Sequence, residues 1–218
     1  MIRTTSFSEG SAGHENEDYL GLNRLPDGYV GAVTDGQGGQ AGGATAARQA
    51  CEAMLVSIQE TQPHLLAGPS QWWELFRSTD QAVQTNPDAG FTTLIAFCIQ
   101  AGHIYGASCG DSAASLWNAG TQLIDLTAQQ RKNSQIGSGV TSCTFFSSPL
   151  VEPWALLVMT DGVWKYAGRD KIAELLRNAQ NDDFAGKLTA ACRLPSSGTF
   201  ADDFTFVLLE SDRRSLPG

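Results

Sequence analysis

Two apolar runs in this chain break on the same dipeptide. In "GAVTDGQGGQAGG" the run ends on Asp35 and dissolves into glycines, and in "LLVMTDGVW" it ends on Asp161. A third acid, Asp111, follows the run "HIYGASCGD", and Asp202 stands just ahead of another in "ADDFTFVLLE". Glu17 and Asp18 precede "YLGLNRL". A single Asp-Gly is an ordinary turn dipeptide, but its recurrence at strand ends points to a shared task. If these ends converge, the carboxylates cannot stand together bare, because two unit charges about 4 Å apart repel by roughly 4 kcal/mol at an effective dielectric near 20. Hard divalent cations resolve the conflict, and an all-oxygen ligand set selects Mg²⁺ or Mn²⁺ over zinc. The glycines beside Asp35 and Asp161 let backbone carbonyls and water come close. Paired cations lower the pKa of bound water from about 15.7 towards 7 and neutralise a phosphoryl group held in line for attack. Metal-assisted phosphoester hydrolysis is the reaction class these residues indicate.

The elements that must place these acids are legible in outline. Residues 29–34 ("YVGAVT") read as a strand, with "DYLGLNRL" as its hairpin partner across "PDG". After the glycines, "GGATAARQACEAMLVSIQE" is apolar at helical spacing, and "PSQWWELFRSTDQAVQTN" opens on Pro69 and Ser70 as a second helix, with Trp72 and Trp73 as packing residues. "FTTLIAFCIQ", "HIYGASC", "SAASLWN" and "TQLIDLT" form a meander of short antiparallel strands. Residues 129–148 read as an irregular loop with one short strand; "WALLVM" is a strong strand, "AGRDKIAELLRNAQ" and "DFAGKLTAACRLP" are helices, and "DDFTFVLLE" closes the pattern. Helices thus come in two pairs set between runs of strands. That is an α+β pattern of two face-to-face sheets with helices on the outer faces.

Bulk properties narrow the classes. The 218 residues carry a net charge of −9, which disfavours nucleic acid as the main partner. The first residues lack the apolar region of a secretory signal, and no run approaches membrane-spanning length. Five scattered cysteines without a C-x-x-C spacing read as reduced, mostly buried thiols, and a cytoplasmic location follows.

Taken in order, "ENEDYLG", "AVTDGQGGQAGG", "GFTTLIAFCI", "YGASCGDSAASLW", "LLVMTDGVW" and "ADDFTFVLLE" resemble the successive motifs of the metal-dependent protein phosphatases of the PP2C type, in its bacterial form. The resemblance implies a four-layer α-β-β-α sandwich with a binuclear Mn²⁺/Mg²⁺ centre at one edge. It implies that Asp35 bridges both ions, that the Gly36 carbonyl ligates one, and that Asp161 and Asp202 hold the other. Glu17 and Asp18 would act mainly through metal-bound waters, and Asp111 would help hold a weaker third ion. A bridging hydroxide would be the nucleophile, and phosphoserine and phosphothreonine on proteins the substrates, with a cognate kinase or its targets as partners. The resemblance implies one domain over residues 1–210, a flexible tail over 211–218, and a monomer.

The chain departs from the family pattern at four places. Gly13 stands where the family has a phosphate-gripping Arg, so the adjacent His14 is the candidate for that grip. Lys165, four residues after Asp161, replaces an Asp that helps the third ion. The flap region, residues 116–154, is short, and Gln37 occupies the place of a His that eukaryotic members have. Two other readings stay open. One is a catalytically impaired module of the same fold that binds or senses a phosphoprotein, consistent with Gly13 and Lys165. The other is a dinucleotide-binding turn at "GQGGQA", opposed by Asp35 directly before it and by the helix that follows the first helix.

Overall fold

The computed structural model describes residues 1–38, 42–130, 135–139, 142–179 and 183–211. Among them, ten strands form two five-stranded sheets. One sheet is built from β2 (Asp18–Leu25), β3 (Gly28–Asp35), β4 (Leu94–Gln100), β5 (His103–Cys109) and β8 (Thr144–Pro149), in that order. The other runs β1 (Ile2–Glu9), β10 (Phe204–Ser211), β9 (Trp154–Met159), β6 (Ala113–Asn118), β7 (Ile124–Asp125). All pairings are antiparallel. Helices α1 (Gly43–Glu60) and α2 (Pro69–Gln84) cover the first sheet, and α3 (Asp161–Ala167), α4 (Arg169–Asn178) and α5 (Phe184–Cys192) cover the second. The expected α+β, four-layer α-β-β-α sandwich is the observed fold.

The period-two geometry of a strand explains the central sequences. In β9, Leu156 and Val158 face the opposite sheet, while Ala155, Leu157 and Met159 face α3–α5. In β10, Val207 and Leu209 point inward to the other sheet, and Phe204, Phe206 and Leu208 point to the helices. In β4, Ile95, Phe97 and Ile99 fill the inter-sheet layer, and Leu94, Ala96 and Cys98 meet α1 and α2. A strand covered on both faces needs apolar residues at every position, so these runs lack polar alternation. Each buried large side chain stabilises the fold by about 1.5–3 kcal/mol relative to exposure. Along α1, Ala46, Ala47 and Ala50 are fully buried, and their small side chains let the helix lie close to the sheet.

Several expectations are corrected by the structure. The strands from 94 to 125 are not one meander: the chain changes sheets between β5 and β6, so Asp111 lies on the crossover. The helices are not two pairs. A third helix, α3, begins at Asp161 itself, because an apolar strand that runs straight into a seven-residue helix leaves no sequence boundary between them. Strand β1 is unexpected, since "IRTTSFSE" is mostly exposed and polar and is held by its pairing with β10 along its whole length. Trp72 is buried and donates through Nε1 to the Leu66 carbonyl (2.8 Å), but Trp73 is 52 % exposed and is no packing residue. Ser211 is not tail: it ends β10, is buried, and pairs with Ile2. The remaining expected tail, 212–218, lies outside the described residues, as do 131–134 and 140–141 of the expected loop.

Candidate metal centre

The acids gather where strands of both sheets terminate on one side of the sandwich. Asp18, the first residue of β2, sits directly opposite Asp35, the last of β3. Asp111 follows β5, Asp161 follows β9, and Asp202 precedes β10. One oxygen from each of Asp35, Asp111 and Asp161 lies within 4.8 Å of the other two. With Glu17, Gly36, Gln37, Asp202 and Asp203 they line an open cleft of about 240 Å³. A groove of about 800 Å³ beside β2 and α1 is larger, so the concentration of carboxylates, not size, marks the cleft.

Neighbouring contacts fix each acid. The Asp35 backbone N–H donates to Thr93 Oγ1 (3.1 Å), and its carbonyl accepts from the Thr93 N–H (2.8 Å) and the Thr92 hydroxyl (2.9 Å). Thr93 Oγ1 also meets Ser112 Oγ at 2.7 Å, which ties the β3 end to the crossover that carries Asp111. The Asp111 carbonyl accepts from Trp164 Nε1 at 2.9 Å, anchoring that crossover to α3. Asp18 Oδ2 accepts from the Thr160 hydroxyl (2.9 Å), which bridges the two sheets. Two glycines permit close approach. A Cβ on Gly36 would lie 2.5 Å from the Gly43 carbonyl, and one on Gly162 would overlap the Asp203 carbonyl. Gly36 therefore lets the β3 end meet the start of α1, and Gly162 lets α3 pack against 202–203.

The electrostatics are strained. Burial first, then the charges of Asp18, Asp161, Asp111 and Asp202, push the Asp35 carboxyl up to about 9. Burial likewise pushes Asp18 up to about 7, against the opposing hydrogen bonds from Thr160 and Thr205. Asp202 is raised by burial and by Asp161, while the Asp203 N–H and Lys165 pull it down. Glu17 is raised by burial and by Asp203 and Glu15, although it accepts from the Ala44 N–H in the first turn of α1. That helix has no side-chain cap of its own, so Glu17 serves an orphan donor at its start.

Do these residues fit divalent cations? The convergent donors are all hard carboxylate oxygens. Asp18 Oδ1 is buried with no hydrogen-bond partner among the described residues, an arrangement that is costly unless something else binds there. Raised carboxyl pKa values of mutual repulsion are what a bound cation reverses. The residues present fit such ions.

Every acid singled out in the sequence lies at this end of the molecule, though not with equal closeness. Asp111, expected to serve a weaker ion, groups with Asp35 and Asp161, whereas Asp202 lines the cleft beside them. His14 is exposed and does not line the cleft, yet its charge reaches Glu17. Lys165 forms an ion pair with Asp161 one helical turn away. Gln37 lines the cleft with a buried Oε1 that has no hydrogen-bond partner among the described residues. Sequence reasoning missed Asp203, whose Oδ1 accepts from the Ser11 N–H and Oδ2 from the Glu17 N–H, both at 2.7 Å. The doublet "ADD" was the available signal. Asp203 is a positioning residue: Asp203→Ala frees the segment carrying Glu17 and is expected to lower the apparent Mn²⁺ affinity about tenfold, the usual order for a residue supporting a metal ligand. Titration of Mn²⁺ into the variant reads that change.

Residues 8–196 match the family described as Protein phosphatase 2C, and the chain belongs to that family of serine/threonine phosphatases. Solved structures share its fold. The serine/threonine phosphatase Stp1 from Staphylococcus aureus aligns with a TM-score of 0.77 at 18 % identity, over 97 % of this chain and 96 % of its own. The catalytic domain of the serine/threonine protein phosphatase PstP, in complex with two manganese ions, aligns at 0.73 and 19 % identity over 96 % and 97 %. RsbX in complex with magnesium aligns at 0.75 and 14 % identity over 96 % and 94 %. No curated protein matches the sequence significantly. Among the described residues, no helix is long and apolar enough to cross a membrane.

Proposed function

We propose that the protein hydrolyses phosphoserine and phosphothreonine monoesters on proteins, using two Mn²⁺ or Mg²⁺ ions held in the acidic cleft. The observation that carries the reading is the convergence of Asp35, Asp111 and Asp161 within 4.8 Å in a chain of this family. Asp35 is assigned to both ions with the Gly36 carbonyl on one, and Asp161 and Asp202 to the other. Glu17 and Asp18 would act on the ions mainly through bound water, and Asp111 would serve a weaker third ion, a place that Lys165 contests by pairing with Asp161. Such ions supply, when bound, the charge that brings the pKa of water towards neutrality and offsets that of the phosphoryl group. The chain's own part is to hold the acids oriented: Thr160 orients Asp18, Thr92 and Thr93 fix Asp35, and Trp164 fixes the Asp111 backbone. The open mouth suits a residue on a protein surface. His14, exposed beside Glu17, is assigned to the approaching phosphate.

The same reading takes residues 1–210 as one monomeric domain with a shortened flap, and a phosphorylated protein, including the targets of a cognate kinase, as partner. Net charge of −9 speaks against nucleic acid, and five free thiols, four of them buried, suit the cytoplasm. One observation favours the rival, a phosphoprotein-binding module without turnover: Lys165 already pairs with Asp161. The deciding test is hydrolysis of p-nitrophenyl phosphate and a phosphothreonine peptide with Mn²⁺, Mg²⁺ or EDTA, beside Asp161→Asn. Expected are metal-dependent turnover and a loss of about 10³-fold in the variant, the scale of removing a main charge-stabilising group. A folded, metal-saturated protein without turnover on either substrate sinks the reading in favour of the binding module.

A further inference from the structure

We propose that Lys165 is a built-in cation of this centre, which limits the divalent ions it takes up and sets their affinity; the inference rests on the two-ion reading above. Around Asp35 the acting charges are those of Asp18, Asp111, Asp161 and Asp202. With Glu17 and Asp203 also lining the cleft, two dications leave negative charge unanswered, and the Lys165 ammonium, paired with Asp161, answers part of it. Its placement is not that of a loose surface side chain finding any partner. Helix α3 is pinned at its start by the contact of Gly162 with Asp203 and along its length by the Trp164–Asp111 hydrogen bond. Lys165 lies one turn beyond Asp161 on that helix, the spacing at which two side chains meet. The charges of Asp111 and Asp202 also reach it.

The ammonium is tethered, so it cannot be diluted away, and it competes with free cations for Asp161 at every metal concentration. With the lysine gone, the carboxylates attract divalent ions more strongly. With an acid in its place, the same helix position offers an oxygen ligand beside Asp161 and Asp111, and a further ion is accommodated.

The test is calorimetric titration of Mn²⁺ into the EDTA-treated, dialysed full chain at fixed pH, for the wild type, Lys165→Arg, Lys165→Met and Lys165→Asp. Thermal denaturation with and without metal is run in parallel. Expected are two Mn²⁺ per chain in the wild type and in Lys165→Arg. Affinity rises at least tenfold in Lys165→Met, and Lys165→Asp takes up one additional equivalent. Without metal, both charge-removing variants melt below the wild type. Wild-type isotherms in all three variants, within twofold, overturn the inference and leave the metal reading standing. No Mn²⁺ uptake by the folded wild type or any variant overturns the metal reading and this inference with it.

Discussion

Asp35→Asn is expected to do two opposite things: abolish metal-dependent phosphatase activity and raise the melting temperature of the metal-free protein. On the proposed two-ion reading, the activity loss follows from taking a charged carboxylate oxygen from the point where β2, β3 and the β5–β6 crossover meet. A loss of at least 10³-fold in turnover is the expected scale when a major electrostatic contribution to the transition state is removed. The gain in stability has a separate cause. Without cations, Asp35 is held near Asp18, Asp111, Asp161 and Asp202, and burial together with their charges raises its carboxyl to about 9. A neutral amide of nearly the same shape removes that burden. One pKa unit corresponds to about 1.4 kcal/mol, so the relief at neutral pH is on the order of 2–4 kcal/mol after allowing for shared repulsion. For a domain of this size about 1 kcal/mol moves the melting temperature by 2–4 °C, which predicts a rise of roughly 5 °C or more. Calorimetry in EDTA reads the one effect and phosphopeptide turnover the other. A variant that melts below the wild type in EDTA contradicts the packing of carboxylates described above.

The second large effect is a metal-controlled pH dependence of stability. Asp18 and Asp35 bind protons more tightly in the folded chain than in the unfolded one, with carboxyls raised to about 7 and about 9 from 3.8. For groups raised in the folded state, the stabilisation is complete below the unfolded value, near pH 4. It is lost as the pH climbs through about 7 and then about 9. The metal-free protein therefore becomes less stable from about pH 5 to pH 9, by roughly 10 °C or more in melting temperature when both groups contribute. Divalent cations replace the protons, so millimolar Mn²⁺ should flatten the curve at its alkaline end. Binding should also release protons, so the observed heat of Mn²⁺ binding should vary linearly with the ionisation heat of the buffer. Melting curves over that range, with Mn²⁺ and with EDTA, provide the check; identical curves in the two series contradict it.

How far the sequence foretold this site depends on which residues are considered. Strands buried on both faces announce themselves, because β4, β9 and β10 must be apolar throughout, and the acids at their ends stand out by contrast. The hairpin "DYLGLNRLPDGYVGAVTD" even implies that Asp18 opposes Asp35, since a tight turn fixes the register outward from Gly28. What escaped has no local signature. Strand β1 contributes few apolar side chains and is stabilised by a partner some 200 residues away, as the Ile2–Ser211 pairing shows. Helix α3 hides because its first acid reads equally as the end of β9. The doublet "ADD" marks Asp203 as an acid without saying what it serves, and only the fold brings its carboxylate to the backbone of Ser11 and Glu17. The division of labour among Asp111, Asp161 and Asp202 is a matter of loop and helix geometry, which spacing along the chain does not encode.

The position of β10 between β1 and β9 carries a consequence for biosynthesis. Among the described residues β1 is an edge strand whose neighbour in the sheet is β10, so it has no sheet partner until a strand some 200 residues further on has been made. The same late strand brings Asp202 into the cleft, and Asp203 just before it draws in the segment bearing Glu17. Pairings this distant in sequence are slow to form, because the entropy of closing the intervening loop is spent before the contacts reward it. A nascent chain that stops short of β10 can assemble the hairpin of Asp18 and Asp35 but not the finished cleft. Among the described elements the acidic cleft is thereby completed last, and its mutually repelling carboxylates come together only once β10 is in place.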